Sequence, residues 1–250
     1  MKRTAKVIRE VCCVLLLAFT SLMGVPKAYG VELKEYNYYY DGAKWTESWF
    51  QCEMTSRVAV FTANDSLRYF LKTQPSQITS LSIKQTEEPD CGMMKCYYSF
   101  STQGGGKSVV MESHYKDDEA FWTVQYRVSL TQGGQTLADE EECRWFERTR
   151  LAVVTDRRTI YVTEGRANQF EYRSFNFDSA SDAPSVDIKR GSRSLDISRG
   201  IETFTFMKGG YSYVLNVSVV KRPFVEVLVK RNGAVVQKEN CLSYTYLKKA

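Results

Sequence analysis

Hydrophobic and polar positions alternate over short runs along most of the chain, and apolar residues do not recur with a period near 3.6 beyond residue 30. The runs "VAVFT" (58–62), "YYSF" (97–100), "SVVMESHY" (108–115) and "WTVQYRVSL" (122–130) are rich in Val, Tyr, Phe and Thr. So are "LAVVT" (151–155), "TFTF" (203–206), "YSYVLNVSV" (211–219) and "FVEVLVK" (224–230). Such segments predict half-buried strands. Glycines punctuate them at 104–106, 133–134 and 209–210, and Asn232-Gly233 suits a two-residue type I′ hairpin turn.

Three blocks of this pattern recur in order. "SRVAVFTANDSLRYF" (56–70) aligns with "TRLAVVTDRRTIYVT" (149–163), and "FSTQGGGKSVVMESHY" (100–115) aligns without a gap with "FTFMKGGYSYVLNVSV" (204–219). Residues 124–143 then align with 225–241, the second copy having the shorter turn. The gapless block pairs Gly105-Gly106 with Gly209-Gly210, Ser108 with Ser212 and Val110 with Val214. Ordered recurrence predicts two like domains, at 46–145 and 146–250, after an aromatic arm at 31–45. The expected fold is all-β, two tandem antiparallel β-sandwiches of the immunoglobulin-like kind with about seven strands each.

Residues 1–30 read as an address. Lys2, Arg3, Lys6 and Arg9 precede the apolar run "VCCVLLLAFTSLM" (11–23), Gly24 and Pro26 follow it, and Ala28 and Gly30 offer a cleavage site. This is the layout of a secretory signal peptide, and the run is short for a membrane anchor. The expectation is export to the periplasm or beyond the cell, with no transmembrane segment left after cleavage. Charge then divides unevenly: residues 31–145 carry 11 bases and 17 acids, net −6, and residues 146–250 carry 18 bases and 11 acids, net +7. Opposite signs in the two halves favour two domains that face each other in part, with Trp145 and Phe146 supplying apolar contact at the junction.

Five cysteines follow the leader, and in an oxidising compartment they read as disulfides. Cys52 stands near the opening strand of the first half and Cys143 at its close, while Cys91 and Cys96 clip a turn. The expected pairs are Cys52 with Cys143 and Cys91 with Cys96, leaving Cys241 free, with Cys143–Cys241 as the competing pair.

Candidate chemistry is sparse. "GGGKS" (104–108) lacks both the first glycine and the following helix of a phosphate-binding loop. His114 is the single histidine, so neither a zinc site nor a serine triad has the partners it needs. The acidic runs at 116–120 and 139–142 lack the spacing of a calcium loop and suit a charged sheet edge. No cofactor and no metal is expected. Possible binding residues fall in two groups. Tyr38, Tyr40, Trp45 and Trp49 belong to an aromatic stretch that can stack on a partner or hide in the core. Arg157, Arg158, Lys189 and Arg190 are basic pairs near turns that could meet an anionic polymer or an acidic envelope protein. Export argues against nucleic acid as a partner. These features predict an exported, non-catalytic binding or structural protein of a bacterial-type cell envelope. A periplasmic chaperone-like protein and a carboxylate-dependent envelope hydrolase are the alternatives.

Overall fold

A computed structural model of the chain describes residues 33–92, 94–102, 104–116, 122–165, 169–179, 182–220 and 222–249. The signal peptide expected at 1–30 and most of the acidic run at 116–120 lie outside the described residues. The described chain is all-β. It begins with β1 (Leu33–Tyr40), β2 (Trp45–Glu53), β3 (Arg57–Thr62), β4 (Ser66–Leu71) and β5 (Thr79–Gln85). The first half continues with β6 (Asp90–Gly92), β7 (Lys95–Thr102), β8 (Gly106–Lys116), β9 (Trp122–Gln132) and β10 (Gln135–Glu142). The second half holds β11 (Thr149–Thr155), β12 (Arg158–Glu164), β13 (Phe170–Asn176), β14 (Val186–Asp196) and β15 (Ile201–Lys208). It ends with β16 (Tyr211–Ser218), β17 (Phe224–Arg231), β18 (Ala234–Glu239) and β19 (Cys241–Lys249).

These strands form one hydrogen-bonded antiparallel network. In the first half β2, β3, β4 and β5 pair in sequence, and β7, β8, β9 and β10 form a meander. Strand β5 joins the two sets, because residues 79–82 pair with β4 while Ile83–Gln85 pair with β7. Strand β14 does the same in the second half, pairing with β13 up to Gly191 and with β15 from Gly191 onward. Side chains along each strand alternate between faces, and two separate cores result. One gathers Phe50, Phe61, Leu67, Ile83, Val110 and Leu130 of the first half. The other gathers Leu151, Ile160, Tyr172, Phe204, Leu215 and Tyr244 of the second. Each fully buried side chain of this size contributes about 1.5–3 kcal/mol.

The stretch expected to be a separate arm is a strand of the second half. Strand β1 pairs with β19 from Leu33 to Tyr39 and touches β2 only through Tyr38–Tyr40. The alternation in "LKEYNYYY" explains this, since Tyr36 and Tyr38 point to one face and pack on Tyr246 and Tyr244.

The glycine turns differ in a way that sequence alignment hides. Gly209-Gly210, with φ of 58° and 80°, fill a two-residue turn between Lys208 and Tyr211. Thr102 and Gly106 instead bracket three residues, with Gly104 at φ 93° and Gly105 at φ 82°. Gly106 therefore lies inside β8, and the gapless equivalence of Ser108 with Ser212 slips across the turn. A Cβ at Gly106 would stand 2.4 Å from the Thr131 carbonyl oxygen, so this glycine permits close approach of backbones.

Where the halves meet, Val58 and Phe70 pack on Val154 and Phe177. Beside them the buried Glu53 carboxylate accepts from Lys72 Nζ at 2.7 Å and from the Tyr161 hydroxyl at 2.9 Å, with Arg144 Nη1 at 3.3 Å. Trp145 and Phe146 pack on Ala152, Tyr161 and Phe175, all of the second half.

Candidate binding cleft

The turn between β14 and β15 is built around one aspartate. Asp196 Oδ1 accepts from the Ser198 hydroxyl at 2.7 Å and the Arg199 amide at 3.0 Å, and Oδ2 accepts from Arg199 Nε at 2.6 Å. These donors, the Ser198 hydroxyl first and then Arg199, hold the Asp196 carboxyl well below the usual carboxylate range. Gly200 closes the turn with φ 67° and returns its amide to the Asp196 carbonyl at 2.8 Å. A polar turn of this kind is sequence-local. Its consequence is that Ile197 projects outward at 85% exposure, next to Leu195 at 52%.

Across from this turn, the chain leaving β16 presents Val219 and Val220, the latter 61% exposed. Between the two edges lies an apolar cleft of about 250 Å³, floored by Val217 and Ser218 and bounded by Lys248. Its inner end is polar. The Glu202 carboxylate is buried there and accepts from the Tyr246 hydroxyl and from Arg193 Nε. Exposed aliphatic groups gathered over a partly polar floor are the usual form of a small binding site. Lys248 of the lining sits opposite the exposed Lys34 in the β1–β19 register, and Arg222, two residues beyond Val220, is exposed as well.

The residues singled out in the sequence are placed elsewhere. Tyr38 is buried against Tyr244, and Trp45 meets Tyr244 edge-on at 5.0 Å. Trp49 lies among Phe50, Phe61, Tyr98 and Phe100. Of the four aromatics only Tyr40 is exposed, tilted against Trp45. The basic pairs do not converge either. Arg158 binds the buried Glu239 at 3.2 Å, and Lys189 binds Asp187 at 3.0 Å and Glu171 at 3.6 Å. Arg157 and Arg190 are exposed. His114 pairs with Val124 in the β8–β9 register, and Glu112, on the same strand, accepts from the Tyr98 hydroxyl at 2.9 Å. "GGGKS" leads into strand β8 rather than a helix. Asp139 and Glu140 of the acidic run at 139–142 are exposed on β10, which pairs with β9 alone among the described strands.

Sulfur atoms of Cys52 and Cys143 stand 2.02 Å apart and those of Cys91 and Cys96 2.18 Å apart, the pairs singled out above. Cys241 is a free thiol, pushed up to about 12 by burial and by the nearby Glu239 carboxylate. Two bonded pairs fit an oxidising compartment. Among the described residues no helix is long and apolar enough to cross a membrane, and no group of three or more His, Cys, Asp or Glu is arranged to hold a metal.

Sequence reasoning missed the cleft. Its one local signal is an apolar residue, Ile197, lodged inside the polar turn "DISRG" (196–200), where burial cannot account for it. Comparison with family models, curated proteins and solved structures finds no match, so the reading of the cleft rests on its own residues.

Proposed function

We propose that the chain is an exported, non-catalytic binding or structural protein of a bacterial-type cell envelope, and that the cleft between the β14–β15 turn and Val219-Val220 is its binding face. The observation that carries this reading is the cluster of Leu195, Ile197 and Val220 held outward on hydrogen-bonded turns and strand ends. Side chains of this kind cost solvation in the free protein and regain it on contact with a partner. The strongly buried carboxylates support a scaffold over a hydrolase. Glu53, Glu202 and Glu239 each face a cation and a hydroxyl of their own, the arrangement of neutralised structural acids.

Architecture adds a finer proposal, that the halves are two copies of one sandwich. The hairpins β3–β4 and β11–β12 and the meanders β7–β10 and β15–β18 favour it. In this reading the copies complete their first sheet differently, β2 lying beside β3 and the C-terminal β19 beside β11. The chaperone-like alternative draws on one specific feature. Strand β18 pairs only with β17 among the described strands and exposes Val235 and Val236, an edge that could accept a client strand.

Sedimentation of the purified protein with native envelope fractions tests the main reading. Ile197→Asp should lower the bound fraction about 10-fold or more while leaving the circular-dichroism spectrum unchanged. Equal binding of the variant and the original protein would sink the cleft as the binding face. Loss of binding on Val235→Lys alone would favour the edge-strand alternative.

A further inference from the structure

A second exposed apolar feature lies in the other half of the molecule. The hairpin β6–β7 pairs Cys91 with Cys96 and Gly92 with Lys95, and the disulfide between the first pair staples it. At its tip Met94 is 54% exposed and held at φ 71°, a left-handed conformation that an unbranched non-glycine side chain seldom adopts. Tyr97, one strand position beyond the staple, is 42% exposed. A backbone outlier that carries an exposed apolar side chain on a covalently fixed turn is the kind of feature that marks a contact site. A fixed hairpin also loses little conformational freedom on binding.

The hairpin and the cleft both expose apolar side chains and differ in the sign of the charges around them. Glu87, Glu88 and Asp90 are exposed beside the hairpin, against Lys95 alone. Lys248 lines the cleft, Lys34 sits opposite it in the β1–β19 register and Arg222 is exposed two residues beyond Val220, while Arg199 and Asp196 neutralise each other. Lys34 apart, the same signs hold for the parts of the chain that carry these groups, net −6 for residues 31–145 and net +7 for residues 146–250. The geometry points to self-assembly: the stapled Met94 hairpin of one molecule enters the Ile197–Val220 cleft of a second copy of this chain. This inference rests on the cleft being a binding face and names its occupant. Because two different surfaces meet, the contact is heterologous. Each bound pair leaves one free hairpin and one free cleft, so the assembly grows by adding further copies, as an open chain or as a ring where the rotation between copies closes.

Analytical ultracentrifugation of the oxidised, purified protein tests this. The expected average mass rises with concentration without levelling at a dimer, and added salt weakens the association because part of the attraction is screened. Met94→Asn removes the apolar tip and keeps a residue tolerant of left-handed backbone. Ile197→Asp places a carboxylate where the acidic hairpin would arrive. Each variant alone should bind itself about 30-fold or more weakly, the effect of losing a central contact. An equimolar mixture of the two should form dimers and stop there, since the first variant keeps a working cleft and the second a working hairpin. Association through any other segment, the apolar run at 11–23 included, would not show this complementation.

Three outcomes overturn the inference: a protein monomeric at every concentration, self-association that neither variant weakens, or variants that do not complement each other. If the protein is monomeric yet Ile197→Asp still abolishes retention by envelope fractions or by vesicles of anionic phospholipid, self-assembly falls and the cleft stands as a binding face. If the variants complement while Ile197→Asp leaves envelope binding intact, self-assembly stands and the envelope reading falls.

Discussion

Gly191 lies where β14 stops pairing with β13 and begins pairing with β15, and a Cβ there would stand 2.2 Å from a ring carbon of Phe206. Phe206 is fully buried in the second core and has no room to retreat. Gly191→Ala should therefore cost about 1–3 kcal/mol, the range for overpacking, read as a fall in the urea midpoint. Gly210→Ala, in an open turn with φ 80°, meets nothing within 4 Å and should cost only its backbone strain of about 1 kcal/mol. A reversed order would show that the corner is not set by contact with Phe206. Asp196 carries a different kind of residue-scale effect. Its folded carboxyl ionises below its unfolded value because Ser198 and Arg199 donate to it. The stabilisation is complete above the unfolded value and is lost progressively as pH falls from there to the lowered folded value. Asp196→Asn should thus show a shallower loss of melting temperature on acidification than the original protein. Parallel curves would mean that the turn does not depend on the ionised carboxylate.

At the scale of elements, the two disulfides do unequal work. Cys52 in β2 and Cys143 just after β10 are 91 residues apart, whereas Cys91 and Cys96 are separated by 5. In the chain-entropy model the long loop is worth about 4–5 kcal/mol and the short one about 2 kcal/mol. Replacing Cys52 and Cys143 by alanine should lower the melting temperature clearly more than replacing Cys91 and Cys96. The second pair should matter more for self-assembly than for folding, since it fixes a hairpin tip. The edge strands differ as well. Strand β10 has two register irregularities and a row of acids, features that discourage pairing with another chain. Strand β18, with Val235 and Val236 exposed, is protected less.

Across the whole described molecule, the junction between the halves is organised around one buried charge. Glu53 has a side chain 1% exposed and faces Lys72, Arg144 and the Tyr161 hydroxyl, while Arg144 stacks 3.8 Å over the Phe175 ring. Burial and the Glu53 carboxylate push the Tyr161 phenol well above its usual range, so it remains a donor at all physiological pH. Glu53→Gln leaves the largely buried Lys72 without its anion and Arg144 with only the exposed Asp182, and should cost about 3–5 kcal/mol in chemical denaturation. A loss below about 1 kcal/mol, the value of an exposed pair, would show that water reaches the site and that the apolar cluster of Val58, Phe70, Val154 and Phe177 holds the junction by itself. The Glu53 ion pairs lie within residues 31–145, the uncharged Tyr161 hydroxyl reaches this carboxylate from the second half, and the Arg144–Asp182 pair runs against the net charges of the halves. Trp145 and Phe146 pack on Ala152, Tyr161 and Phe175 of the second half.

The sequence by itself determined the strand content, most turns and the cysteine pairs to consider, because each depends on local alternation, on glycine's access to positive φ or on spacing along the chain. Asn232 and Gly233, at φ 51° and 81°, occupy the turn their dipeptide predicts. Tertiary structure decided where the tyrosine-rich β1 goes, since its alternating face would fit either core and only pairing with the distant β19 selects the second. It also decided the cleft. Leu195, Val220, Tyr246 and Lys248 come from β14, the chain after β16, and β19, and no pattern within one strand reports that three strand ends converge. Burial follows local period, whereas a binding surface is made by residues that long-range pairing brings together.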